Sequence, residues 1–233
     1  VWGREVWFLH RMLVWHLQLP WSSRRWVPPR ASGHPVLCVH GFTQDGTNFF
    51  PIRRALHARG RVTEAVTLGW PPRELAAYAR VLERRLYRIL WQTGAERVDV
   101  VCHSMGGLVL RAVLARHPGL GARIGRVVTI GTPHRGTGAA RGAVLSLPET
   151  RVMHVRADWL QRTPKLIEQL PGHPVTTIGS VDDSTVFPVD SALADGDQQV
   201  RLLGLGHSGI LVDRSAVDPV VTALFRPMTG ASA

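Results

Sequence analysis

Short β-branched apolar runs alternate along this chain with segments of helical apolar spacing. The apolar runs predict strands, which fall at 36–39, 61–68, 98–102, 127–130, 175–178 and 200–203. Helical spacing and helix-ending residues predict helices, which fall at 48–59, 73–93, 104–117 and 215–225. Strands that alternate with helices predict an α/β fold, with a mostly parallel sheet and helices on both faces. Ligand sites in such sheets lie at the carboxyl ends of the strands.

Two segments lie outside this alternation. Residues 28–35 combine Pro, Gly and Ser and form a predicted linker. The linker separates an N-terminal segment at 1–30 from one domain at 31–233. Residues 138–172 contain Gly, Arg and Pro with weak periodicity, and we expect them to form a short cap or lid over the site.

Residues 1–30 are rich in tryptophan and arginine, and hold five of the eight tryptophans. No run of 18 apolar residues occurs, which argues against a membrane-spanning helix, and no apolar centre precedes a small-residue cleavage site. The segment is expected to be helical, and it either lies on a membrane surface or packs on the domain. We therefore expect a cytoplasmic or a peripheral membrane protein. Because the chain begins with Val1 and not Met, we expect a fragment or a processed form, and secretion stays open.

Composition adds limits to this picture. The chain of 233 residues is 45% apolar and 19% charged, which is typical of one large α/β domain. Its net charge of +11 comes almost entirely from arginine, since Lys165 is the only lysine. The arginines are scattered and no basic run exceeds two residues, which argues against nucleic-acid binding. Cys38 and Cys102 both lie in apolar runs, and we expect buried free thiols.

Ser104 lies where the strand at 98–102 changes to helical spacing. A serine on such a sharp strand-to-helix turn has a strained backbone and an exposed hydroxyl, and it needs small residues two positions before and after it. Cys102 and Gly106 occupy those positions. The following helix also directs its free N–H groups toward any anion that forms on an attacked carbonyl. Ser104 is therefore the candidate nucleophile.

A serine nucleophile needs a base, and the base needs a carboxylate that holds its tautomer. His207 is the only histidine after the last predicted strand, and glycines flank its loop. Asp182 and Asp183 follow the preceding strand. We favour Asp183 as the orienting carboxylate, with Asp182 as its solvated neighbour. The order Ser, Asp, His is the order expected for an α/β-hydrolase.

An oxyanion hole requires two N–H donors. The residue after the nucleophile supplies one, and Met105 has that position. The loop after the first core strand supplies the other, which assigns it to the N–H of Phe42. His40 precedes this loop, and we interpret it as a loop-fixing residue.

Five motifs in order now support a resemblance to a known family. They are Val39-His40-Gly41-Phe42, His103-Ser104-Met105-Gly106-Gly107, Gly131-Thr132-Pro133-His134-Arg135-Gly136-Thr137, the stretch at 183–188, and Gly206-His207-Ser208-Gly209. Residues 36–225 resemble the bacterial lipase and esterase family of α/β-hydrolases, in the small form with a short cap. Cys102 departs from the family's usual Gly or Ala.

The resemblance implies hydrolysis of carboxylic esters of lipids or of short-to-medium acyl chains. It implies Ser104 as nucleophile, His207 as general base and acid, and Asp183 as the orienting carboxylate. Thioesterase and acyltransferase activity on the same triad are alternatives, and a non-catalytic lipid- or partner-binding scaffold is a further one. We expect no cofactor, and no ligand cluster in the sequence calls for the calcium or zinc that some lipases of this wider group carry.

Overall fold

Six parallel strands form the centre of the molecule, in the order β2-β1-β3-β4-β5-β6. The computed structural model describes residues 25–69, 74–138 and 148–227. The strands β1 to β6 span Val36–Val39, Thr63–Val66, Val98–His103, Ile124–Ile130, Val175–Ser180 and Gln198–Leu202. Every neighbouring pair is parallel, which confirms the predicted sheet. The carboxyl ends of β3, β5 and β6 therefore meet at one edge.

Helices cover both faces of this sheet. Within the described residues, α1 to α6 span Phe50–His57, Leu75–Thr93, Met105–Arg116, Asp158–Arg162, Val189–Leu193 and Arg214–Phe225. The helices α1 and α6 bury apolar side chains against one face. The helices α2 and α3 bury theirs against the other face, together with Met153, Leu160, Leu166 and Leu170. The sheet thus separates two apolar cores.

The two cysteines lie in different cores. Cys38 packs in the core under α1 and α6, whereas Cys102 packs in the core under α2 and α3. Both are buried and free, as the sequence predicted. Burial raises the pKa of the Cys38 thiol to about 12. Neither thiol is therefore placed to react with the other or with solvent.

The end of the N-terminal segment packs on the domain. Trp26 exchanges backbone hydrogen bonds with Thr63, and its ring meets Phe50 edge-on at 5.6 Å. The guanidinium of Arg53 lies 4.2 Å from the centroid of the Trp26 ring. The rest of the Trp- and Arg-rich stretch, residues 1–24, lies outside the described residues. Across the described part of the chain, no helix combines the length and apolarity needed to cross a membrane.

Gly94 ends α2 in the left-handed conformation, with φ of 65°. Gly94→Ala should lower the free energy of unfolding by about 1 kcal/mol, because a Cβ disfavours this conformation. Gly119→Ala is the matched control, since a Cβ there also meets no atom within 4 Å but Gly119 lacks the positive φ. Denaturant unfolding of both variants measures the difference. Equal effects would contradict a conformational cause.

Candidate active site

Ser104 lies between β3 and α3 on a strained turn. Its φ of 52° and ψ of −128° lie outside the regions that L-residues favour. Its N–H donates to the carbonyl of Ile130 at 2.9 Å, which ties the turn to β4. A Cβ on Gly106 would lie 2.4 Å from the carbonyl oxygen of Val39, so only glycine allows α3 to begin this close to β1. This is the sharp turn that the sequence predicts.

The structure brings Ser104, His207 and Asp183 together. The Nε2 atom of His207 lies 3.0 Å from Oγ of Ser104, and Nδ1 lies 2.7 Å from Oδ2 of Asp183. Because a carboxylate can only accept, the proton of the neutral His207 ring lies on Nδ1, between the ring and Asp183. Nε2 is then free to accept from the serine hydroxyl. Ser104 and Asp183 are both buried, and the His207 side chain is only 14% exposed. The hydrogen-bonded chain is thus largely shielded from water.

The two neighbouring aspartates are placed differently. The Oδ1 atom of Asp183 accepts from the N–H groups of Thr185 at 2.8 Å and Val186 at 2.9 Å, which directs Oδ2 to His207. Asp182 instead accepts from the N–H of Gly204 at 2.6 Å. The carboxylate at hydrogen-bond distance from His207 is therefore that of Asp183.

The loop after β1 lies directly against the serine. A Cβ on Gly41 would lie 2.7 Å from Cβ of Ser104, so the backbone approaches the nucleophile without an intervening side chain. Within the described ranges, the N–H groups of Phe42 and Met105 donate to no other residue. Neither of the two sequence-predicted donors thus has an acceptor among the described residues.

His40 holds this loop from behind. Its Nδ1 donates to the carbonyl of Gly41 at 2.7 Å, and its Nε2 accepts from the N–H of Leu68 at 2.8 Å. Burial lowers the pKa of His40 below 6.5, in favour of the neutral ring that both contacts require. These contacts agree with the loop-fixing interpretation.

The sequence reasoning missed a polar connection through His103 and Gln44. The His103 ring is fully buried, with Nδ1 2.8 Å from Oε1 of Gln44 and Nε2 3.1 Å from the carbonyl oxygen of His207. Oε1 of Gln44 also accepts from the N–H of Gly41 at 3.1 Å. His103 therefore links the loop of the predicted oxyanion donors to the loop of His207.

The His103 ring is neutral in this setting. Burial, and secondarily the neighbouring His207 ring, hold the pKa of His103 well below 6.5. A neutral ring donates one proton, so it donates to only one of the two oxygens at a time. The position beside the nucleophile is the one signal in the sequence that could have identified His103.

Arg111 connects α3 to the segment predicted as a cap. Its guanidinium donates to the carbonyls of His134 at 3.2 Å, Leu160 at 2.8 Å and Pro164 at 2.9 Å, and also to that of Thr163. A buried cation with this many carbonyl partners holds the stretch near α4 to the helix that follows Ser104. Whether residues 138–172 move as a lid stays a prediction, and 139–147 lie outside the described residues.

The described residues include no group of three His, Cys, Asp or Glu side chains placed to hold a metal ion.

Comparison with solved structures defines the class of this fold. Lipase BlEst2 of Bacillus licheniformis, in its mature form, superposes with a TM-score of 0.68 at 15% identity, over 87% of this chain and 98% of the lipase. The chain therefore has the α/β-hydrolase fold, as the sequence motifs predict. A family model described as "Domain of unknown function (DUF7379)" matches residues 16–181. The chain belongs to that family.

Two curated relatives share sequence with part of the chain. Proteins named triacylglycerol lipase from Pseudarthrobacter phenanthrenivorans and Burkholderia plantarii are each 33% identical over 117 residues, or 46% of this chain. The matched stretch spans 35% of the first relative and 31% of the second. The chain thus matches about a third of the length of these lipases.

Proposed function

We propose that this protein is a serine carboxylic-ester hydrolase that acts through an acyl-serine intermediate on lipid or short-to-medium acyl esters. The observation that carries the proposal is the chain from Ser104 through His207 to Asp183, with separations of 3.0 Å and 2.7 Å. The strained turn at Ser104 and the two curated lipase relatives support it. A buried Ser-His-Asp chain of this length matches the geometry that activates a serine.

In the proposed acylation, Oγ of Ser104 attacks the ester carbonyl carbon and Nε2 of His207 takes the hydroxyl proton. The carboxylate of Asp183 stabilises the resulting imidazolium and holds its Nδ1 proton. The carbonyl oxygen becomes an oxyanion that accepts from the N–H groups of Phe42 and Met105. When the tetrahedral intermediate collapses, His207 donates its proton to the leaving alcohol and the acyl group stays on Ser104.

Deacylation repeats these roles with water. Nε2 of His207 takes a proton from a water molecule, whose oxygen attacks the acyl carbon and forms the second oxyanion at the same two N–H groups. Return of the proton to Oγ of Ser104 releases the carboxylic acid and restores the resting site.

His103 and Gln44 act in this proposal as positioning residues. The side chain of Gln44 accepts a hydrogen bond from the N–H of Gly41 and thereby orients the loop that carries Phe42. The buried His103 ring lies between Gln44 and the carbonyl of His207 and donates to one of them at a time, so it helps to position the base relative to that loop. Small errors in such positions are costly, because an error of about 1 Å can lower a rate about 100-fold.

The test combines ester hydrolysis with covalent labelling. The protein is assayed on p-nitrophenyl esters from acetyl to palmitoyl, and separately treated with a fluorophosphonate that phosphonylates activated serines. We expect hydrolysis, inactivation by the reagent, and the label on Ser104, with no label on Ser104→Ala. The chain-length profile then separates esterase from lipase preference.

Two results would count against the proposal. A labelled protein that leaves all the oxygen esters intact would favour the thioesterase or acyltransferase alternative. A protein that is neither labelled nor active would favour a binding scaffold.

Gln44→Ala is expected to lower kcat about 10- to 100-fold with KM changed less than about threefold, because the loop of the oxyanion donors loses its anchor. Gln92→Ala is the matched control, since Gln92 lies at the far end of α2 and contacts Arg25. Steady-state kinetics on one soluble ester measure both. A change in KM alone would argue that Gln44 contributes only to substrate binding.

A further inference from the structure

The exposed side of α2 carries two aromatic rings among three arginines. Arg80, Arg84 and Arg88 lie four residues apart, and Tyr87 and Trp91 also lie four residues apart. At 100° per residue, all five fall on one strip of helix surface roughly 100° wide. The Trp91 ring is 83% exposed and Tyr87 is 51% exposed. We call these five residues the α2 stripe. An exposed tryptophan in line with an exposed tyrosine is unusual for a helix face that only contacts water.

The charges of the α2 stripe are not explained by the stability of the helix. Arg80, Arg84 and Arg88 lie at successive i, i+4 positions, where like charges repel by a few tenths of a kcal/mol per pair. No ion pair between described residues involves any of the three. Glu83, the only acidic residue within α2, lies 3.1 Å from His117 instead. The stripe is therefore a cationic surface without an acidic counterpart.

The same five residues fit the surface of an anionic membrane. Tyr and Trp rings favour the boundary between headgroups and acyl chains, because they are apolar with one polar atom. Arginine side chains are attracted to anionic headgroups. A helix that presents both along one side can lie flat on the bilayer, with its rings inserted and its charges at the headgroups.

The position of the α2 stripe agrees with this partner. The α2 helix covers the opposite face of the sheet from α1 and α6, so the stripe faces outward. Arg25, the first described residue, donates to the side chain of Gln92 next to Trp91. The described part of the chain thus begins beside the C-terminal end of the stripe.

We infer that the α2 stripe docks this protein on an anionic phospholipid bilayer, with α2 parallel to the membrane plane. This inference goes beyond the proposed ester hydrolysis and does not depend on it. The residues 1–30 were a membrane candidate from sequence alone, whereas the α2 stripe is a separate surface on the folded domain. It would hold the domain at the membrane through a face distinct from the edge that carries Ser104.

Vesicle co-sedimentation of the full chain tests the inference. The vesicles contain phosphatidylcholine alone or phosphatidylcholine with phosphatidylserine. We expect binding to the anionic vesicles only, falling as salt rises. The triple variant Arg80→Gln, Arg84→Gln, Arg88→Gln should bind at least about tenfold more weakly, and Trp91→Ala should also weaken binding.

A matched variant controls for net charge. Arg54→Gln, Arg123→Gln and Arg214→Gln together remove the same charge from exposed arginines of α1, the 3-10 helix before β4, and α6. This control should bind as the wild type does. Circular dichroism and the thermal midpoint of each variant show that the fold is retained.

An environment-sensitive label reads the orientation directly. Arg84→Cys can be labelled selectively, because both native cysteines are buried. We expect a blue shift of the label's emission on anionic vesicles, and none for the same label on Arg54→Cys on the opposite side of the sheet.

Three results would overturn the inference. Unchanged binding by the stripe variants would assign membrane contact to another part of the chain, residues 1–24 included. If the control variant with Arg54, Arg123 and Arg214 replaced bound equally weakly, the effect would be due to net charge alone. A protein that binds no vesicles but forms a dimer that Trp91→Ala dissociates would make a second copy the occupant of the stripe.

Discussion

Asp183→Asn is expected to lower kcat for ester hydrolysis about 10⁴-fold, the scale of loss when a triad aspartate becomes an amide. The amide can donate to Nδ1 of His207, which favours the tautomer that is protonated on Nε2. That tautomer cannot accept the proton of Ser104. KM should change little, because Asp183 faces His207 rather than the position of the substrate. The measurement is kcat on a soluble acyl ester, with Ser104→Ala as the background rate.

Asp182→Asn is the matched control for this prediction. The same chemical change is made one residue away, where the carboxylate accepts from the N–H of Gly204. Its kcat should stay within about threefold of the wild type, since no contact joins Asp182 to His207 in the described residues. Comparable losses in both variants would contradict the assignment of Asp183 and point to a general effect of the loop.

The sheet and the turn at Ser104 were predictable because their signals are local. The strands β1, β3 and β4 contain short apolar runs, and β1 matches its predicted bounds of 36–39. The signal is weaker in β2, which contains Glu64, and in β6, which begins with Gln198 and Gln199. The change from β-branched residues to helical spacing at Ser104 lies within one stretch of sequence. By contrast, α5 has only five residues, too few for its periodicity to be recognised.

The choice between Asp182 and Asp183 depended on the loop that follows β5. The sequence showed two adjacent carboxylates and a turn, which limited the choice to these residues. What separates them is that Oδ1 of Asp183 accepts two backbone N–H groups from Thr185 and Val186. That pattern is typical of a turn stabilised by its own aspartate, so part of the answer was present in the local sequence.

Hydrogen bonds between side chains far apart in the sequence could not be predicted from the sequence alone. Gln44 and His103 are 59 positions apart, and His103 and His207 are 104 apart. A side-chain hydrogen bond between distant segments leaves no periodic pattern. Arg111 is similar, because it interrupts the apolar surface of α3 and its partners are backbone carbonyls that any residue type supplies. Such residues become interpretable only after the fold has placed their partners.

Acid is expected to destabilise this protein from about pH 6.5 downward, because its buried histidines are neutral. Burial, with Arg111 contributing, lowers the pKa of His134 from 6.5 to about 3. Burial also lowers the pKa values of His40 and His103. Unfolding releases these rings to their ordinary pKa near 6.5, so the unfolded state binds more protons below that pH. Stability is therefore complete above about pH 6.5 and falls as the pH approaches 3.

A histidine that is neutral in the folded state and protonated in the unfolded state contributes a slope of roughly 1.4 kcal/mol per pH unit to the free energy of unfolding. Asp195 lies 3.6 Å from Nδ1 of His134 but is a weak counter-charge, since burial raises the pKa of its carboxyl. His134→Gln should reduce the pH dependence of the free energy of unfolding by the contribution of about one titrating group. Urea denaturation across this pH range measures the change. Thr129→Val removes the hydroxyl 2.9 Å from Nε2 but leaves the titrating ring in place. Thr129→Val should lower the free energy of unfolding at every pH and leave its pH dependence unchanged.

A His134→Gln protein whose free energy of unfolding depends on pH as strongly as that of the wild type would show that other groups drive acid unfolding.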